Sequence, residues 1–363
     1  MPHGQYAVGR AVLRRAVRDG EIGAPRFSHL EASFPLRLLS PTNSCEDATR
    51  NAAAYGTAPQ KSVGVLFMVS FGGGLVSGDH IDLDVDVGSD TRLLMLTQGS
   101  TKVYRERRHG DAPSRAARAP GLTEISQQYI RFIVRENATL ILLPAPVTCF
   151  ARSRYAQTQR FDLRSSTSSS LVLLDWFTSG RLVVDGPRDS TDMQRIPEMW
   201  HFYLYHSRNE VRIDGNVLVR DRQHLAQELP EVLRRDTKTD LARRCDPYTC
   251  YGLLVLYGPE CQVLCRALAA EYDQIQQPQP LLRSGGTLGA SHIAPPDVLW
   301  SLSPLCSGAP VPGSDRKGAG GPDSGVVVRL AGVSTESLRA WMHLRLKPLQ
   351  HLIGDDLYRV ALA

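Results

Sequence analysis

The chain has 363 residues, 42% hydrophobic and 22% charged, with 42 Lys and Arg against 37 Asp and Glu for a formal net charge of +5. That length can bury a substantial core, and the composition excludes collagen, coiled coil and wholesale disorder. No run approaches the ~18 uncharged apolar residues of a membrane-spanning helix, and the basic excess lacks the aromatic-interleaved stripe of a nucleic-acid binder.

The first feature along the chain is GRAVLRRAVR at residues 9–18, rich in Arg and free of acids. It is expected to belong to a flexible N-terminal arm over residues 1–26, with a transit peptide or an amphipathic surface helix as alternatives. The first thirty residues hold no continuous apolar segment, so no secretory leader is expected. Seven cysteines make an odd count. Reduced thiols in the cytoplasm are their simplest setting.

From Phe27 to about Gly258 apolar residues recur with a period of two, in short segments punctuated by Gly, Pro, Asp and Ser. IDLDVDV at 81–87 alternates strictly and ends on Gly88-Ser89-Asp90, a strand with one buried face followed by a turn. Strands are also predicted at 92–97, 129–135, 139–143, 155–163, 170–174, 181–184, 201–205, 210–213 and 217–220, and later at 251–257 and 326–330. So many short strands point to a layered, mainly β body and not to βαβ units. Helical periodicity appears late, over 230–244, 259–274 and 334–353. Ser334 or Thr335 is placed to cap the third helix, and Pro348 to kink or end it. The polar or Gly/Pro-rich stretches 43–61, 107–123 and 307–324 are predicted loop insertions in a single domain over 27–363.

Motifs for catalysis are missing. GGGLVSGD at 72–79 is not GxGxxG, carries no GK[ST] and precedes a strand, so it is expected to be a turn and not a phosphate loop. Neither GxSxG nor HExxH occurs. His201 and His206 sit at an odd offset, which on a strand places them on opposite faces. Cys245, Cys250, Cys261 and Cys265 form the densest thiol cluster. Their spacing is not that of CxxC pairs, so buried structural thiols are expected, with a zinc-holding thiolate site as the alternative. Asp79 and Asp175 are open to two readings: turn or capping carboxylates, or donors on an internal polar path that can hold a divalent ion.

Taken in order, FPLRL (34–38), GGGLVSGD (72–79), TQGSTKVYR (97–105), LPAPVTCFA (143–151), RYAQTQ (154–159), DWFTSGR (175–181), WSLSPL (300–305) and GVVVRLAG (325–332) resemble the UreD (UreH) urease accessory family. The LPxPVTCFA and DWFTSGR forms look like its plant and fungal branch. The resemblance implies a scaffold and not an enzyme, with a helix-like stack of β-strands, a UreD-type β-helical body, and a few α-helices towards the C-terminal part. It implies a chaperone of urease maturation that binds apo-urease and a UreF-type partner, which recruits a UreG-type GTPase. Nickel would be handled transiently, with no tightly bound cofactor, along a water-filled tunnel. On this resemblance Asp79 and Asp175 are the candidate metal contacts. Lys102, Tyr104, Arg154, Tyr155, Gln157 and Arg181 are candidates for shaping the tunnel or an interface. Two positions depart from the usual bacterial pattern: Ala145 stands where LPDPV has a carboxylate, and Phe177, not Glu, lies beside Trp176. The helix at 334–353 is a candidate docking element, with packing on its own β body as the alternative.

Overall fold

The computed structural model describes residues 5–18, 21–41, 62–105, 125–181, 198–229, 238–276, 296–305 and 324–362. Period-two runs become strands where one side can be buried, and here they sort into two sheets. The seven-stranded sheet runs, in spatial order, β15 (Asn216–Ala226), β14 (Leu204–Ile213), β12 (Arg154–Leu163), β9 (Ser126–Val134), β6 (His80–Val87), β1 (Tyr6–Arg18) and β2 (Glu21–Ala32). The eleven-stranded sheet runs β17 (Val298–Pro304), β18 (Gly325–Gly332), β16 (Cys250–Tyr257), β13 (Ser170–Thr178), β10 (Thr139–Leu142), β7 (Arg92–Thr97), β4 (Val63–Ser70) and β3 (Leu36–Leu39). Three short strands, β5 (Gly74–Leu75), β8 (Thr101–Val103) and β11 (Val147–Cys149), continue from the end of β13.

The middle of each sheet is parallel. β1, β6, β9, β12 and β14 pair in one direction, as do β4, β7, β10 and β13. The chain passes from one sheet to the other at β6–β7, β9–β10 and β12–β13, so each pass lies beside the last. Antiparallel strands finish the edges: β2 on β1, β15 on β14, β3 on β4, and the run β16–β18–β17 on β13.

Every residue of β13 is buried, which places a layer on each side of it. Leu171, Leu173 and Phe177 join the core between the sheets, whereas Val172, Leu174 and Trp176 face the helices. That outer layer holds α2 (Gln262–Gln276), α3 (Thr335–Arg345), α4 (Gln350–Ile353) and α5 (Asp355–Ala361), while Leu241 of α1 (Asp240–Cys245) joins the inter-sheet core. The molecule is mainly β with a few helices, mostly towards its C-terminal part. Among the described residues no helix is long and apolar enough to cross a membrane.

Several expectations are corrected. Residues 6–18 are no arm: β1 is hydrogen-bonded between β6 and β2. Its Ala7, Ala11 and Leu13 are buried, while Arg14 pairs with Asp86 at 2.7 Å. A Cβ on Gly9 would meet Leu36 Cδ2 at 2.7 Å, so small residues let β1 seat closely. The strands predicted at 201–205 and 210–213 are one strand, β14, starting at Leu204. The first helix is only α1; the residues 230–237 of its predicted start lie outside the described residues, as do 182–184 of another predicted strand. The third predicted helix breaks at Pro348 into α3 and α4, and α5 follows it. Ser334 does cap α3: its side chain accepts from Ser337 N and its backbone N–H bonds the Ser337 hydroxyl. Leu338, Trp341 and Met342 of α3 pack on the chain's own β body. The predicted insertions at 43–61, 107–123 and 307–324 lie outside the described residues, Ser324 apart.

Candidate functional site

In a parallel in-register sheet, one residue from each strand shares a row across it. Two inward rows of the seven-stranded sheet are Val87–Val134–Leu163–Ile213 and Val85–Phe132–Phe161–Val211. The next two, Leu83–Ile130–Gln159–Asn209 and Ile81–Gln128–Gln157–Ser207, bring amides and a hydroxyl into the same interior. Polarity thus enters the core row by row, towards the starts of the strands.

Asp175 faces these rows from β13. Its Oδ1 accepts from Gln157 Nε2 at 3.2 Å, and its Oδ2 accepts from Ser207 Oγ and Asn209 Nδ2, both at 2.6 Å. The Tyr155 hydroxyl is shared between Gln128 Oε1 (2.7 Å) and Gln157 Oε1 (2.8 Å). Burial raises the Asp175 pKa above its usual value, against the lowering effect of its three donors, and the nearby Asp221 carboxylate adds to the rise. Burial also lifts the Tyr155 and Tyr205 phenols well above their usual range, with the Asp175 charge contributing. Phe177 closes one side, stacked on Tyr205 with ring centroids 4.1 Å apart.

The polar chain continues outwards. Asn209 lies opposite Asp221 on β15, and Asp221 Oδ1 accepts from an Arg329 guanidinium at 2.8 Å. Arg329 is 57% exposed, so the seam runs from the interior to the molecular surface. Next to Asp175 is a small cavity of about 30 Å³, bounded by Gln128, Gln157, Gln159, Met68, Met95, Thr97 and Ala145 among others. That is about the space of one water molecule. Gln128 Nε2 and Gln159 Oε1, on residues that border the cavity, are buried without a protein hydrogen-bond partner, and so are Asn209 Oδ1 and Tyr205 OH elsewhere in the seam. Polar atoms left unpaired in a dry interior are costly, so this interior is suited to water. Ala145 borders the cavity, and its backbone N–H donates to Thr97 Oγ1 at 2.9 Å. Among the described residues that bound this cavity, Asp175 is the only carboxylate.

The other predicted residues lie elsewhere. Asp79 is buried, but both its oxygens accept backbone amides, Oδ1 from Gln5 at 3.0 Å and Oδ2 from Val76 at 2.8 Å. It fastens the glycine-rich turn to the start of β1. Tyr104 braces the same turn by donating to Gly72 O at 2.8 Å. Lys102 and Arg181 border a separate open cleft of about 580 Å³, with Thr148, Phe150, Glu336 and Arg339. Arg181 pairs with Glu198 at 3.3 Å and lies over the Phe150 ring. Arg154 stands 4.5 Å from the centre of the Tyr203 ring. Of the predicted set, the structure brings Tyr155, Gln157 and Asp175 together. Sequence reasoning missed Gln128, Gln159, Ser207, Asn209, Asp221 and Arg329, whose only signal was a polar residue at the inward parity of a strand.

The thiols do not converge. Cys250, Cys261 and Cys265 lie in the core beneath the helices, whereas Cys245 packs against the core between the sheets. Burial pushes the Cys250 thiol up to about 11 and Cys261 higher still, which keeps both protonated at neutral pH. Among the described residues no group of three or more His, Cys, Asp or Glu is arranged to hold a metal ion.

Comparison with known proteins bears on the whole chain. The family model described as UreD urease accessory protein matches residues 7–359. The chain is 32% identical to "Urease accessory protein 4" of Cryptococcus neoformans var. grubii over 324 residues, 88% of this chain and 84% of that protein. It is 28% identical to "Urease accessory protein D" of Oryza sativa subsp. indica over 351 residues, covering 95% of this chain and 94% of the other. "Urease accessory protein UreD" of Sorangium cellulosum is 29% identical over 351 residues, 96% of this chain and 79% of its own length.

Proposed function

The chain belongs to the UreD urease accessory protein family, and from that premise we propose that it is a scaffold that couples apo-urease to the nickel-loading machinery. Members of this family are accessory proteins, not enzymes, and serve urease maturation. In this proposal the chain binds apo-urease and a UreF-type partner, through which a UreG-type GTPase joins the complex in the cytoplasm. The alternating passes between the two sheets support the expected coiled β-stack of such a scaffold. Nickel is cargo, passed on and not kept.

The observation that carries this reading is the family match over residues 7–359. The interior seam supports its finer part. A hydrated divalent ion in transit needs oxygen donors and water, with too few fixed ligands to trap it. Asp175, flanked by Gln157, Ser207 and Asn209, offers one carboxylate among neutral groups. A cation next to Asp175 would offset the cost of burying its charge, so the site favours passage of a cation without a closed ligand shell.

Co-purification tests the scaffold role. A tagged full-length chain recovered from nickel-starved, urease-expressing cells is expected to bring urease subunits and the other accessory proteins with it. Recovery of the chain alone, under conditions where urease is expressed, would contradict the proposal.

A further inference from the structure

On the outer face of the seven-stranded sheet, His206 of β14 and His224 of β15 stand directly opposite each other. Side chains alternate along β14, so His206 points away from the interior that Ser207 and Asn209 face. The two Nδ1 atoms lie 3.3 Å apart, with ring centroids 5.4 Å apart and ring planes inclined at 69°. The β12 residue in the same row is the small Ala156.

That separation is at the long end for a hydrogen bond between the two rings. It also matches the spacing of two ligands on one ion. Imidazole nitrogens bind zinc at about 2.0–2.1 Å, and two corners of a tetrahedron of that size are about 3.3–3.4 Å apart. Burial, Arg222 and His224 lower the His206 pKa, so charge repulsion and desolvation both work against a second proton on this pair. Among the described residues no third ligand completes the set. Arg208 is engaged by Glu210 at 2.9 Å, while Arg222 opposes a cation and keeps binding loose.

We propose that His206 and His224 form an open two-imidazole site for a late first-row divalent ion such as zinc(II), with water in the remaining positions. The site is independent of the urease reading and lies on the opposite face of the sheet from Asp175. It was hidden in sequence because the two residues belong to different strands and meet only through the antiparallel register.

Calorimetric titration of the reduced, full-length chain with zinc chloride tests the site. One equivalent is expected to bind, and His206→Ala or His224→Ala should each weaken it by about a hundredfold, because losing one of two linked ligands forfeits the chelate. The double variant should bind no more weakly than either single one. His206 is half-buried and His224 exposed, so thermal melting of the variants should match the parent and Asp175→Ala should leave this zinc affinity intact. Wild-type affinity in either His variant, additive losses, or loss of the same site in Asp175→Ala would overturn the proposal.

Discussion

Asp175 pairs burial with a raised pKa, and the sign of its effect on stability follows. Its folded pKa lies above the ordinary 3.8, so protonation favours the folded state. Wild-type stability attributable to this group is therefore present at low pH and is lost as pH rises through the folded value. Asp175→Asn keeps an acceptor for Ser207 and Asn209 and removes the buried charge. It should melt at or above the wild-type temperature at pH 7, and the difference should shrink as pH falls towards 3.8. Thermal melts over that range check this; an Asn variant that melts well below wild type at pH 7, with no pH dependence, would contradict it. Only part of this constellation was legible in sequence. Tyr155, Gln157 and Asp175 fall within quoted motifs, but Ser207 and Asn209 sit between two predicted strand segments that are in fact one strand. With that strand broken, their inward parity was lost. Asp79 was legible as a special carboxylate, but only the fold shows its oxygens spent on the amides of Gln5 and Val76.

Among the elements, α3 shows local chemistry that sequence displays well. Ser334 has extended φ/ψ, accepts from Ser337 N at 3.1 Å, and has Glu336 in the turn it opens. Ser334→Ala should lower stability by about 1 kcal/mol, the usual cost of removing a side-chain cap, measured by denaturant unfolding. Retention of full stability would show that the Ser337 hydroxyl, which accompanies the cap, carries the turn alone. Strand β1 is the opposite case. Its inward positions are Ala7, Gly9, Ala11 and Leu13, three of them small, so the apolar alternation is faint while the outward arginines are conspicuous. The residues that make its close fit possible are the ones that hide it. The thiol-bearing segments were legible in kind: Cys261 and Cys265 share one buried face of the helical layer, as structural thiols do.

For the whole molecule, the β class was plain from periodicity, but the arrangement of sheets was not. Row partners such as Leu83, Ile130 and Gln159 lie far apart along the chain at unequal spacing, so no fixed-period repeat betrays the parallel pairing. The charge also has a different layout from the one its clustering in the sequence suggested. Arginines on the outer face of the seven-stranded sheet share a few acids: Asp86 with Arg14 and Arg135, and Glu210 with Arg208, Arg212 and Arg220. Those three guanidiniums hold the Glu210 carboxyl down to about 2. A sheet face carrying mutually paired charge, on the far side of the sheet from a polar interior seam, is consistent with the proposed scaffold role. The most direct measurement of that claim is urease activity, with the nickel content of purified urease, in a urease-positive host lacking this chain and grown on limiting nickel. Activity and nickel loading should collapse without the chain and return when it is supplied, with urease protein present throughout. Fully active, nickel-loaded urease in its absence would contradict the account.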